Sequence, residues 1–134
     1  MTKQDALAKY LGIEAVDVEE TRAENVFDAD GSEYLVLTDG EAYEKARESI
    51  LESVWAFNPD FLAAHAREGI DADVIKAIQA NDRCEGNNKA LTALIQDVDH
   101  FVNDAISSDG RGHFLNTYDG EENWESDFFI YMMN

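Results

Sequence analysis

The sequence is poor in cations, cysteine and proline, and it has no long apolar run. Ten Lys and Arg stand against 29 Asp and Glu, a formal net charge of -19. A field of that sign repels DNA, RNA and anionic membranes and attracts basic protein surfaces. No direct nucleic-acid or membrane partner is therefore expected. The single cysteine, Cys84, forms no internal disulfide, and a lone thiol suits a reducing compartment. Arg83 would lower its pKa, but Asp82 and Glu85 oppose that, so it reads as a spectator. No stretch approaches the roughly 20 apolar residues of a membrane helix. Met1 to Asp5 lack a basic segment followed by an apolar run, which predicts no signal peptide. These absences point to the cytoplasm. With one proline, no repeat and no low-complexity run, the 134 residues are expected as a single domain.

What is present suffices for a core. Hydrophobic residues make up 45% and aromatics 10% of the chain, a globular composition. The pattern predicts an α+β fold, mostly helical, with a small antiparallel sheet. Thr2 and Asp5 read as a capping box for a first helix ending at Gly12. Tyr43, Ala46, Ile50, Val54 and Phe57 form one stripe of a second helix, from about Asp39 to Phe57. Pro59 and Asp71 open two short helices. Leu91, Leu94, Ile95, Val98, Phe101, Val102 and Ala105 predict one core-facing helix that opens at Asn87 or Asn88. An N-terminal hairpin is expected over about residues 25–38. A C-terminal strand over about residues 127–133 is expected to pair with Tyr34–Leu37. His113 to Tyr118 reads as extended and residues 119–123 as a turn.

Five places carry residues with chemistry. Asp28-Ala29-Asp30-Gly31-Ser32 has the alternating oxygens of a calcium loop, but Glu33 and Asp39 stand where glycine and a bidentate glutamate belong. It reads as a hairpin turn. Asp97, His100 and Asp104 share a helix flank without a matching pair elsewhere, and read as a solvated face. His65 reads as a core or boundary histidine with a hydrogen-bond partner. Gly110-Arg111-Gly112-His113 follows a helix and meets no phosphate-loop spacing, so a helix end and loop is expected. Arg111 is nonetheless the only Lys or Arg after Lys89. Cys84 is the fifth. No catalytic residue, metal set or cofactor is expected from any of them. An alternative small enzyme would draw on Arg111, His113 and His65.

The acids are unevenly spread. One cluster holds Glu14, Asp17, Glu19, Glu20, Glu24, Asp28, Asp30 and Glu33, with Arg22 its only base. A second holds Asp119, Glu121, Glu122, Glu125 and Asp127, with no base. If the C-terminal strand joins the hairpin, the two clusters are expected to be neighbours. A third row, Glu44, Glu48 and Glu52, is softened by Lys45 and Arg47.

Glu33-Tyr-Leu-Val-Leu-Thr-Asp39, Val54-Trp-Ala-Phe-Asn-Pro-Asp-Phe-Leu62 and Asp109-Gly-Arg-Gly-His-Phe-Leu-Asn-Thr-Tyr-Asp-Gly-Glu-Glu122 resemble strings of a family of small acidic phage and prophage proteins of uncharacterised function. The resemblance implies a phage context, hence a host-cell cytoplasm, and no activity. With the charge, it leads to the expectation of a non-enzymatic accessory protein that binds a basic surface of a protein partner through the two clusters. Its sharpest form is a nucleic-acid mimic that inhibits a host defence or DNA-processing enzyme, of anti-restriction or anti-CRISPR type. A structural homo-oligomer is a further alternative.

Overall fold

Asp30 and Gly31 both take positive φ, 52° and 81°. A two-residue loop with that backbone is a type I′ turn, whose twist matches the strands it joins. It brings β2 (Val26–Ala29) against β3 (Ser32–Thr38) in the register Ala29↔Ser32 to Val26↔Leu35. The structure is a computed structural model and describes residues 1–80 and 85–134. Cys84 lies outside the described residues. The chain divides into two compact units: Met1–Ala46 with Asp109–Asn134, and Arg47–Ser108.

The first unit holds the sheet. The C-terminal strand pairs antiparallel with β3, from Tyr34↔Met132 to Thr38↔Phe128. Two more strands complete it: β1 (Glu19–Glu20) and β4 (Asn123–Glu125), the C-terminal strand being β5 (Phe128–Met132). The order is β1-β2-β3-β5-β4, antiparallel throughout. Helix α1 (Lys3–Leu11) carries the expected capping box. Its Leu7 and Ala8 bury against Phe27, Ala29, Tyr34, Val36 and Ile130, alternate residues that share one face of the sheet. Leu35, Leu37 and Tyr131 occupy the other face and are buried as well.

Helix α2 (Asp39–Glu52) begins in the first unit and ends five residues short of Phe57. Ser53 donates its hydroxyl to the Ser49 carbonyl, and Val54–Ala56 continues as a 3-10 turn. The second unit contains α3 (Pro59–His65), α4 (Ala72–Gln79), α5 (Asn88–Leu94) and most of α6 (Val98–Asp109). Its buried side chains include Leu62, Ile75, Leu91, Ile95, Phe101 and Val102.

The expected single helix beyond Asn88 is two helices. The chain opens at Ile95 to Asp97, where Arg67 N–H donates to the Leu94 carbonyl and Gln96 N–H to the His65 carbonyl, each at 2.9 Å. Asp97 then caps α6 by accepting from the His100 N–H at 3.1 Å. The segment expected as extended also differs: Arg111–Leu115 is a one-turn helix, α7. Its Gly112 is buried where a Cβ would stand 2.3 Å from the Gly120 carbonyl oxygen. Only glycine allows so close a backbone approach.

Candidate functional site

The first acidic cluster lies along the β1–β2 edge and its turns. Glu14 precedes the 3-10 turn Ala15–Asp17 and Asp17 is its last residue, while Asp30 occupies the type I′ turn. Across the strands, Glu19 stands opposite Asp28, and Asp28 opposite Glu33. Opposed residues share a face, so three carboxylates line one rung of three adjacent strands. Asp28 and Glu33 form a non-hydrogen-bonded pair, as the Val36 N–H to Asn25 carbonyl bond of the same ladder requires. Side chains approach closest at such pairs. Like charges so placed cost about 0.2–1 kcal/mol per pair. All eight carboxylates of the cluster are exposed except Glu33, which is half-buried. None makes an ion pair among the described residues.

The second cluster is built differently. Glu122 is bound twice by the Arg111 guanidinium, Nε at 2.9 Å and a terminal nitrogen at 3.2 Å. The other terminal nitrogen donates to Asp39 Oδ1 at 2.8 Å and to the Asp39 carbonyl at 3.2 Å. The guanidinium also lies 4.6 Å from the Phe129 ring centre, a cation–π distance. Tyr131 donates its hydroxyl to Glu122 at 2.5 Å. Burial pushes the Tyr131 phenol well above its ordinary range, and the Glu122 carboxylate pushes it further. Burial pulls the Arg111 pKa down, but Glu122 and Asp39 outweigh it and hold the guanidinium charged. Asn116, also buried, donates to the Glu121 carbonyl and accepts from the Tyr118 and Asp119 N–H groups. The glycine-flanked arginine is thus a clamp that ties α7 and the 116–122 turn to the sheet. Glu125 is taken as well, by Lys9 at 2.9 Å. Asp119, Glu121 and Asp127 remain exposed, with no ion pair among the described residues.

The strand residues of the two clusters, Glu19 and Glu20 on β1 and Glu125 on β4, lie far apart on the sheet. β1 and β4 are its opposite edges, four inter-strand spacings apart, or about 19 Å. The register also places Glu125 beside the Thr38 end of β3, and Asp28 beside the Ser32 end. The C-terminal strand joins the hairpin between these two edges, and the end of the chain links the clusters at one point. Met133 N–H donates to the Glu33 carbonyl at 2.8 Å, and the Thr117 hydroxyl, two residues before Asp119, donates to the Met133 carbonyl at 2.6 Å.

In the second unit His65 is buried as expected and meets Asp104, Nε2 to Oδ2 at 2.6 Å. Asp104 is therefore not part of a merely solvated face. His100 packs its ring 5.1 Å from that of His65, and Phe61 and Phe101 complete the surround. Of the flank of three, Asp97 is spent as the cap of α6. No group of three acidic, histidine or cysteine side chains is placed to hold a metal among the described residues. The alternative enzyme residues fall in different units: Arg111 and His113 in the first, His65 in the second. His113 is exposed and packs edge-on against Phe114. A cleft of about 470 Å³ in the first unit is lined by Lys3, Glu20, Arg22 and Glu24 among others. Both signs of charge meet there, so it favours neither.

Compared with protein-family models, curated proteins and solved structures, the chain matches none. No helix among the described residues is long and apolar enough to cross a membrane.

Proposed function

We propose that this chain is a non-enzymatic accessory protein that binds a basic surface of a protein partner through the acidic edge of its first unit. The supporting observation is the unpaired carboxylate rung Glu19–Asp28–Glu33 with its exposed neighbours. The charge is concentrated in the same unit. It has 18 acids and 5 bases, a net -13 of the total -19. Three of those bases, Lys3, Lys9 and Arg111, are already held by Glu41, Glu125, Asp39 and Glu122. The carboxylates of the first cluster are in no ion pair among the described residues, and Arg22 is the only base within their stretch of sequence, so the field they project stays strongly negative.

A phage protein acting in the host cytoplasm, with a nucleic-acid-binding enzyme as partner, is the sharpest form of this proposal. There the rung stands in for backbone phosphates. The test is capture from host lysate at low salt, followed by titration of the purified partner. Affinity should fall at least about tenfold between low and high salt, because ions screen exposed pairs. Duplex DNA should compete. The triple change Glu19→Gln, Asp28→Asn and Glu33→Gln should weaken binding while leaving the fold intact. Affinity indifferent to salt and to the triple change would refute the proposal.

A further inference from the structure

The two edges of the sheet differ. β1 closes one side with two glutamates, and a short edge of one charge discourages pairing with another chain. β4 closes the other with Asn123-Trp124-Glu125. Ser126 and Asp127 form the two-residue loop to β5, with Glu125 opposite Phe128. The pair flanking such a loop exchanges its hydrogen bonds, and the next residue turns its backbone groups outward. That residue is Trp124. Neither its N–H nor its C=O has a hydrogen bond among the described residues. Its side chain stands 68% exposed, against none for Tyr131 one strand in.

We propose that β4 is an open docking edge that takes an extended, lysine- or arginine-bearing segment of a partner protein as an added strand, with Trp124 covering the stem of one cation. The backbone groups of Trp124 supply the hydrogen bonds, as in strand addition generally. The indole supplies apolar area and a face for a cation. The charge of the surroundings selects the occupant. Asp119 and Glu121 precede the strand and Asp127 follows it, all exposed and outside any ion pair among the described residues. A second copy of this chain would bring the same negative unit to the edge, so a basic strand fits and self-pairing does not. The inference rests on the partner-binding reading above and gives it a second place and a bound conformation.

The probe is a capped peptide of alternating lysine and valine, about eight residues long, with a glutamate–valine peptide as control. It is titrated into the isotope-labelled full chain while backbone amide resonances are followed. The lysine peptide should shift residues 123–125 and the control should not. Trp124→Pro removes the outward N–H, which an edge strand tolerates, and Trp124→Ala keeps it but removes the indole. Each should weaken binding at least about tenfold, with the unfolding midpoint checked for both. The change of Glu19, Asp28 and Glu33 to amides should leave this binding within about twofold, since those charges sit about a Debye length or more away. Shifts centred on residues 19–33 and lost in the amide variant would overturn the docking edge and leave the partner-binding proposal standing. Absence of any shift with the lysine peptide also overturns the edge, while the salt titration above decides the wider proposal separately. A dimer in sedimentation that Trp124→Pro dissolves overturns the basic occupant in favour of a second copy.

Discussion

Replacing Gly112 by alanine should destabilise the protein by about 2–5 kcal/mol. The added Cβ would stand 2.3 Å from Gly120 O, 2.8 Å from Glu121 C and 2.9 Å from Glu122 N. All three are backbone atoms, so no side chain can rotate out of the way. An ordinary carbon–oxygen contact is about 3.3 Å, so α7 or the turn must retreat by about 1 Å. Overfilling a packed site costs about 1–3 kcal/mol. The retreat also strains the bidentate Arg111–Glu122 contact and the Asn116 bond to Glu121, at about 1–2 kcal/mol more. Gly40→Ala is the matched control. Gly40 lies in α2 with nothing within 4 Å of its would-be Cβ, and alanine should stabilise there by about 0.5 kcal/mol. Urea unfolding followed by circular dichroism separates the two, read as midpoint at unchanged slope. A Gly112→Ala protein within about 0.5 kcal/mol of the parent would refute the packing of α7 against the turn.

Other measurements address the remaining parts. Asp28→Lys places one cation between Glu19 and Glu33, turning two like-charge pairs into opposite ones; stability should rise by about 0.5–2 kcal/mol at low salt, with the gain shrinking as salt is added. Asp97→Ala removes the cap at the start of α6 and should cost about 1 kcal/mol. Tyr131 keeps its proton in the folded state beyond the pH at which a free phenol loses it. Stability from this group is therefore complete below about pH 10 and falls as pH rises above it. Tyr131→Phe should flatten that alkaline fall without abolishing it, because burial also raises Tyr34.

The parts of the fold legible in the sequence are those with local chemistry. Thr2 with Asp5, Asn58 with Pro59, and Asp71 each satisfy backbone groups within a few residues, and each marks a helix start as read. The Asp30-Gly31 pair locates the hairpin and sets its register. Once that loop has two residues, Ala29 faces Ser32 and Asp28 must face Glu33, so one step of the carboxylate rung was already written there. The break between α5 and α6 was hidden because Leu91, Ile95, Phe101 and Val102 stay in helical phase across it. Asp97, three residues before His100, was its only signal. α7, β1 and β4 span five, two and three residues, too few for any periodicity to register. Arg111 stood out as a lone cation, but its acceptors Glu122 and Asp39 lie 11 and 72 residues away. His65 and Asp104 are 39 apart, and no spacing rule joins them.

The placement of the charge argues more than its amount does. Solubility needs carboxylates only where water reaches them, and the outward face of α2 meets that need with Glu44, Glu48 and Glu52, which have Lys45 and Arg47 close by in sequence. The rung on β1, β2 and β3 has no such relief. Glu19, Asp28 and Glu33 oppose one another directly across the strands, at a cost that a threonine in the middle would remove. The opposite edge of the sheet follows another logic, for there Lys9 and Arg111 neutralise Glu125 and Glu122 and leave Trp124 bare. On the proposed reading, a cation placed over the rung would relieve the repulsion between those pairs, and that relief would add to the affinity for a basic surface. Asp28→Lys, expected to strengthen the fold, should for the same reason weaken partner binding. A variant that gains stability and keeps its partner would remove the rung from the interface.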